Sequence, residues 1–229
     1  MFRYILWDID RTLLNFDLSE DKSLKMAFEK FNLGNCSDKQ LDEYKIINKK
    51  YWDLLEQGKI SKEGVLYGRF EEFFSLYNID KSIVKKFNSY YQECLGLTPI
   101  FNENALEVVR YLKGKYKQFA VTNGTATAQI AKLKNSGLDK ILDFVFISEK
   151  IGYAKPFIGF FDKIFEYTND RNCDKYLIIG DSLTSDIQGG INAGIQTCWY
   201  NPYNTKIADD IKISYTINNL KQVLDIINM

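Results

Sequence analysis

The chain contains no histidine among its 229 residues. That absence removes Ser-His-Asp hydrolysis, histidine phosphatases, HExxH metalloproteases and most histidine-based zinc sites. Any catalysis must therefore run on carboxylates, a metal ion, lysine or hydroxyls. Cysteine is scarce: Cys36, Cys94, Cys173 and Cys198 lie far apart, with no CxxC pair. They read as reduced, mostly buried thiols of a cytosolic protein. Neither sign of charge is in surplus, with 30 basic and 30 acidic residues, which argues against a nucleic-acid polymer as partner. No apolar stretch approaches the length of a membrane span. The N-terminus runs straight into a strand-like segment rather than a signal peptide. No internal repeat or low-complexity tract is visible. These absences predict a cytoplasmic protein with no membrane partner.

What is there begins with Asp8-Ile9-Asp10-Arg11-Thr12, placed directly after the apolar run Phe2-Arg3-Tyr4-Ile5-Leu6-Trp7. The run reads as a buried strand. Side chains alternate faces along a strand, so Asp8 and Asp10 can converge only if the strand ends between them and the chain turns. Two acids so placed repel unless a cation or a shared proton compensates, and stability offers no reason to put them there. A second strand-like run, Lys175 to Ile179, ends in Gly180-Asp181-Ser182-Leu183-Thr184-Ser185-Asp186. A third, Phe119 to Val121, ends in Thr122-Asn123-Gly124, and Lys155-Pro156 stands just before a helix expected from about Phe157, with Pro suited to its first turn. Each feature alone has a duller reading. Asp186 could cap the next helix, Asp181 could be a turn residue, Thr122 an ordinary strand-end hydroxyl and Lys155 a solvated surface lysine.

The chain is long enough for one sizeable core, or for a core and a smaller inserted domain. From Asp17 to Leu97 helix patterns follow one another without a strand. Segment 19–31 carries Leu24, Ala27, Phe28 and Phe31 on one face. Ser37 with Gln40 forms a capping-box signature before Leu41, Tyr44, Ile47, Tyr51 and Leu55, with Gly58 at the helix end. Another helix begins near Ser61 and carries Leu66, Phe70, Phe73 and Phe74, and a fourth runs from about Asp80 to Leu95. Strand–helix alternation resumes at about Asn102. It predicts strands at 118–121, 143–147, 176–180, 196–199 and near Ile213–Thr216, with helices at 103–114, 126–136, 157–168, 185–193 and the C-terminus. Such alternation argues for a parallel sheet covered on both faces. The expected architecture is α/β: a Rossmann-like parallel-sheet core over 1–16 and 98–229, with an all-helical cap inserted over 17–97.

An acid pair, a hydroxyl with an amide, a lysine and an acid cluster, in that order at strand ends, resemble the four motifs of the haloacid dehalogenase superfamily of phosphohydrolases. The resemblance implies that Asp8 is the nucleophile forming an aspartyl-phosphate and Asp10 the general acid/base. It implies that Thr122 and the Asn123 backbone N–H hold phosphoryl oxygens and that Lys155 pairs with nucleophile and phosphate. Asp8, the Asp10 carbonyl and Asp181 would ligate Mg²⁺, with Asp186 a ligand or an orienting neighbour. All-oxygen ligands suit magnesium rather than zinc. One departure stands out: the glycine usual between the second aspartate and the threonine is Arg11 here. The presence of Asp10 argues against dehalogenation, which has no leaving oxygen to protonate. A cap lysine of the phosphonatase type is left open.

The match extends further. Leu14-Asn15-Phe16-Asp17, the run Tyr44 to Trp52, Gly58, Gly68-Arg69-Phe70, Ile147 to Pro156 and Gly189 to Gly194 resemble the bacterial house-cleaning pyrimidine 5′-nucleotidases over nearly the whole chain. That implies hydrolysis of nucleoside monophosphates as small-molecule substrates, with Asn48, Trp52 and Arg69 of the cap able to contact base or sugar. A phosphatase of sugar phosphates on the same core, and a non-catalytic binding protein of the same fold, are the alternatives.

Overall fold

In the computed structural model, residues 1–206 and 211–228 are described. They fold as two compact units, one built from residues 1–16 with 99–229, the other from 17–98.

The first unit carries a six-stranded sheet in the order β3-β2-β1-β4-β5-β6. The strands are β1 (Tyr4–Trp7), β2 (Lys117–Thr122), β3 (Phe144–Ile147), β4 (Tyr176–Gly180), β5 (Gln196–Tyr200) and β6 (Tyr215–Ile217). Every pairing is parallel. The fully buried runs Tyr4–Trp7 and Tyr176–Gly180 show why: a parallel sheet is covered on both faces, so its central strands read as continuous apolar stretches. Alternation then assigns each side chain to a face. Ile5 and Trp7 pack with Val108, Val109 and Leu112 in one core, while Tyr4 and Leu6 pack with Phe160, Phe161 and Ile164 in the other. Trp7, fully buried, contributes about 2–3 kcal/mol by burial alone, and its indole N–H donates to Gln118 Oε1 at 3.0 Å.

The second unit is helical. Its elements are α1 (Phe16–Lys30, whose first residue belongs to the sheet unit), α2 (Asp38–Glu56), α3 (Lys62–Leu76) and α4 (Val84–Leu97). The expected capping box is formed, with Ser37 and Gln40 exchanging side-chain and backbone hydrogen bonds. The core is aromatic: Phe28, Tyr44, Phe70, Phe73, Phe74, Phe87 and Tyr91 are all fully buried or nearly so. Tyr44 stacks on Phe70 at 5.1 Å and Phe74 meets Phe87 edge-on at 5.0 Å. Such pairs add about 0.5–1.5 kcal/mol each beyond their buried area.

Helices α5 (Ala105–Leu112), α6 (Ala126–Ser136), α7 (Ser148–Ile151), α8 (Ile158–Thr168), α9 (Gln188–Asn192) and α10 (Gln222–Ile227) flank the sheet. Helix α7 has no counterpart in the sequence reading, being too short to show a period. Helix α8 starts at Ile158 with Phe157 as N-cap, so Pro156 precedes the helix rather than occupying its first turn. The segment expected to be one helix over 185–193 is a π-type turn, Leu183–Ile187, followed by α9. All four cysteines are free thiols, three of them buried. Among the described residues no helix is long and apolar enough to cross a membrane.

Candidate active site

The chain builds outward from β1 through β2 to β3, then returns to place β4, β5 and β6 on the other side. The strand order therefore reverses at β1, and ligands of open α/β sheets bind at the carboxyl ends beside such a reversal. The motif residues stand there. Strand β1 stops at Trp7, but Asp8 stays joined to the neighbouring strand through its N–H to Ile179 O at 2.9 Å. Thr122 is the last residue of β2, and Asp181 follows the last residue of β4.

The centre of the cluster is Lys155, whose side chain is 1 % exposed. Its ammonium donates to Asp8 Oδ1 at 2.8 Å, to Asp186 Oδ1 at 2.6 Å and to the Val121 carbonyl at 2.7 Å. All three ammonium protons are placed, which excludes the solvated-lysine reading. Asp8, Asp181 and Asp186 each bring a carboxylate oxygen within 4.8 Å of the others. Burial, reinforced by the Asp186 charge, pushes Asp8 well above the ordinary carboxylate range, against the pull of Lys155. Asp181 is pushed up to about 7 by burial and by Asp186, with Arg11 and Lys155 opposing. Burial works against the Lys155 charge, yet Asp186 and Asp8 outweigh it and hold the ammonium above the usual lysine value. Three carboxylates facing one ammonium are short of positive charge, and an all-oxygen donor set of this kind suits a hard divalent cation.

Asp186 reaches the cluster because Gly180 has no side chain. A Cβ there would lie 2.2 Å from the Asp186 carboxyl group. Its second oxygen, Oδ2, accepts the Ser182 N–H at 3.1 Å, while the following turn is capped by Ser182, whose hydroxyl accepts the Ser185 N–H. The helix-capping alternative for Asp186 is thereby replaced by a bond to Lys155.

Asp10 stands apart from the three clustered carboxylates. Its Oδ2 accepts from Gln129 Nε2 at 2.6 Å and its Oδ1 from Lys132 Nζ at 2.5 Å. Both donors lie on α6, and sequence reading did not single them out; their only signal was a polar pair three residues apart on an otherwise apolar helix face. Arg11 has φ +64, the left-handed region that favours glycine, which is the physical reason a glycine would be usual there. Its guanidinium lies over the Phe16 ring at 4.8 Å. Thr12, fully buried, was likewise not assigned a role. Its hydroxyl accepts the Asp181 N–H at 3.1 Å and donates to Asp181 Oδ1 at 3.3 Å. Trp199 Nε1 donates to the Asp181 carbonyl at 2.9 Å.

Asn123 ties the ends of β2 and the Lys155 segment together. Its Nδ2 donates to Lys155 O at 2.8 Å and its Oδ1 accepts Lys155 N–H at 2.9 Å. The Thr122 hydroxyl accepts the Gly124 N–H at 3.0 Å, which orients it and keeps its proton available for donation.

In the helical unit, Asn48, Trp52 and Arg69 form one hydrogen-bonded group. Asn48 Oδ1 accepts from Trp52 Nε1 at 3.1 Å and from Arg69 Nη1 at 2.7 Å, and its Nδ2 donates to Glu20 Oε1 at 2.6 Å. Arg69 Nη2 donates to Asn88 Oδ1 at 3.0 Å. Asn48 and Arg69 are 2 % and 1 % exposed, so most of their hydrogen-bonding capacity is turned inward. Trp52 is half-buried.

Residues 5–200 match the family model of haloacid dehalogenase-like hydrolases. The pyrimidine 5′-nucleotidase PynA of Streptococcus pneumoniae is 34 % identical, over 98 % of this chain and 94 % of its own length. The pyrimidine 5′-nucleotidase YjjG of Escherichia coli is 29 % identical, over 96 % of this chain and 95 % of its own. The crystal structure of the putative hydrolase YfnB from Bacillus subtilis bound to magnesium superposes with a TM-score of 0.92 at 31 % identity, covering 100 % of this chain and 99 % of that one.

Proposed function

The chain belongs to the haloacid dehalogenase-like hydrolase family, and we propose that it is a magnesium-dependent phosphomonoesterase hydrolysing nucleoside 5′-monophosphates, pyrimidine nucleotides foremost. The observation that carries the reading is Lys155 joining Asp8 to Asp186, with Asp181 beside them, at the carboxyl ends of β1 and β4. Two relatives matched over almost their full length are pyrimidine 5′-nucleotidases, and they support the substrate class.

In this reading an Asp8 carboxylate oxygen attacks phosphorus, the bond from phosphorus to the nucleoside 5′ oxygen breaks, and the Asp10 carboxyl proton passes to that leaving oxygen. Water then attacks phosphorus of the aspartyl-phosphate and gives its proton to Asp10. The acyl phosphate bond breaks, and inorganic phosphate and the Asp8 carboxylate are regenerated. Carboxylates are weak nucleophiles, so positive charge must offset the charge of the transferring group. Lys155 supplies part of it; the Thr122 hydroxyl and the Asn123 N–H supply donors. Asp8, Asp181 and the Asp10 carbonyl would hold Mg²⁺, which when bound neutralises the phosphoryl oxygens. Asp186, bonded through one oxygen to Lys155 and through the other to the Ser182 N–H, orients the lysine rather than contacting substrate. For the base or sugar, the half-buried Trp52 offers an aromatic surface whose position is set by Asn48 and, through it, by Arg69.

The test is phosphate release from panels of nucleoside monophosphates and sugar phosphates, with Mg²⁺ and with EDTA. Metal-dependent release favouring pyrimidine monophosphates is expected, and Asp8→Asn should lower it by at least about 10³-fold while leaving the fold intact. Turnover retained in Asp8→Asn sinks the mechanism. Release from sugar phosphates alone discards the substrate class.

A further inference from the structure

Gln129 and Lys132 have no part in the chemistry described above, yet they are among the most buried polar side chains of the sheet unit, each 1 % exposed. They sit one turn apart on α6 and grip the two oxygens of one carboxylate, that of Asp10. The grip is one-sided. The Lys132 side chain is 2 % exposed whereas that of Asp10 is 23 % exposed, so the carboxylate is held from beneath and open above. The Phe16 ring lies under the Lys132 ammonium at 4.9 Å and limits the directions in which it can point. Gln129 needs a matching absence: a Cβ on Gly124 would lie 2.1 Å from the Gln129 amide nitrogen. The backbone of the Thr122-Asn123-Gly124 turn is thus shaped to let this amide pass to Asp10.

Stability does not account for the arrangement. Gln129 Oε1 is buried with no hydrogen-bond partner among the described residues, a state that costs a fold about 1–3 kcal/mol. A lysine buried to this degree recovers little beyond its desolvation cost from a single carboxylate. Two costly groups converging on one carboxylate at the strand ends are explained by what they do to that carboxylate.

Resting on the assignment of Asp10 as proton donor and acceptor, we propose that Gln129 and Lys132 are positioning residues that hold the Asp10 carboxyl group in a single rotamer facing the leaving oxygen. An unrestrained aspartate samples several χ1 wells. Small displacements of a group that must transfer a proton in the transition state cost rate rather than binding. The two residues touch neither the phosphoryl group nor the substrate in this assignment, so their effect must travel through Asp10 alone.

That requirement sets the experiment. A nucleoside leaves as an alkoxide that needs a proton, whereas p-nitrophenolate leaves without one. The value of kcat/KM ends at transfer to Asp8, so it reports the protonation of the leaving group and not the later hydrolysis. Lys132→Met in the full-length protein with Mg²⁺ should lower kcat/KM for a nucleoside 5′-monophosphate about 30-fold, within the range for acid–base assistance. For p-nitrophenyl phosphate it should lower kcat/KM by less than about 3-fold. Lys132→Arg should recover most of the loss, and Gln129→Met should show the same selectivity with a smaller amplitude, which keeps the test valid should one variant fold poorly. Equal losses on both substrates, or none on either, overturn the inference while Asp8→Asn remains inactive. Turnover retained in Asp8→Asn overturns the mechanism and the inference together.

Discussion

Two polar clusters, one at the strand ends and one inside the helical unit, are built with different balances of charge. At the strand ends three carboxylates, Asp8, Asp181 and Asp186, lie together, and the ammonium of Lys155 pairs with two of them, Asp8 and Asp186. Inside the helical unit the Arg69 guanidinium is met by amide oxygens of Asn48 and Asn88 and by the faces of Phe70 and Tyr91 at 4.9 and 5.3 Å. The first cluster carries more negative charge than its own cation can offset, and Asp8 and Asp181 respond by rising above their ordinary range. The second sets one guanidinium against amide oxygens and aromatic faces and joins it, through Asn48, to the buried carboxylate of Glu20. A cluster short of cation is suited to receive one; a cluster in which one buried cation is matched by one buried carboxylate holds helices in register. Burial alone does not distinguish a site from a scaffold, whereas the sign and surplus of buried charge does.

Removing the cation from each cluster tests that difference most strongly. Lys155→Met leaves two buried carboxylates, Asp8 and Asp186, without their ammonium and should cost about 3–5 kcal/mol of stability in EDTA, read by urea unfolding, with part of the loss recovered by Mg²⁺. Arg69→Met should cost about 2–3 kcal/mol by removing a charged donor from the Asn48 and Asn88 oxygens and the cation joined through Asn48 to the buried Glu20, and Mg²⁺ should recover none of it. Recovery of both variants by the metal, or of neither, would break the comparison.

The charge surplus also predicts a pH dependence. Asp181 rises from an ordinary 3.8 to about 7 in the folded protein, so the folded state holds its proton more tightly than the unfolded chain. The resulting penalty is absent below about pH 4, grows between 4 and 7, and is complete above 7. In EDTA, Tm should therefore fall over this interval. Asp181→Asn should flatten the fall, and Mg²⁺, which competes with protons for the same carboxylates, should bind more weakly as pH drops below about 7. A Tm that rises with pH in EDTA contradicts the surplus.

The smallest effect concerns Arg11. Arg11→Gly relieves a left-handed backbone worth about 1 kcal/mol. It also loses the contact over Phe16, worth about 0.5–1 kcal/mol, and frees the unfolded chain by a similar amount. The net change should stay within about 1 kcal/mol by chemical denaturation. A larger loss would show that the guanidinium supports the Asp181 side of the cluster more than its stacking on Phe16 implies.

The strand-end motifs were legible because they combine local signals: an apolar run fixes a strand, and acids or hydroxyls immediately after it fall at the carboxyl end whatever the rest of the chain does. That is why Asp8, Thr122 and Asp181 could be named from their place, whereas Lys155, beyond β3 and α7, was named from the resemblance; the Ser37–Gln40 cap was readable from its own spacing. Gln129 and Lys132 were not, because their partner lies 119 and 122 residues away and a polar pair on the apolar face of α6 does not say what it meets. The same holds for Thr12 on Asp181, 169 residues away. The Asn48, Trp52 and Arg69 side chains were legible as polar or aromatic residues on helices, but that they bond one another was not, since helical period gives a face and not a neighbour.

The sequence by itself determined the alternation of strands and helices, the helical insertion after β1 and the order of the acidic motifs, all of which follow from periodicity and local turn chemistry. Only the tertiary structure decided which carboxylates crowd together and which stands apart. That choice depends on strand order, on the space left by Gly180 and Gly124, and on donors brought in from distant helices. Local sequence carries propensity, while electrostatic balance belongs to the groups that packing brings within a few ångströms of one another.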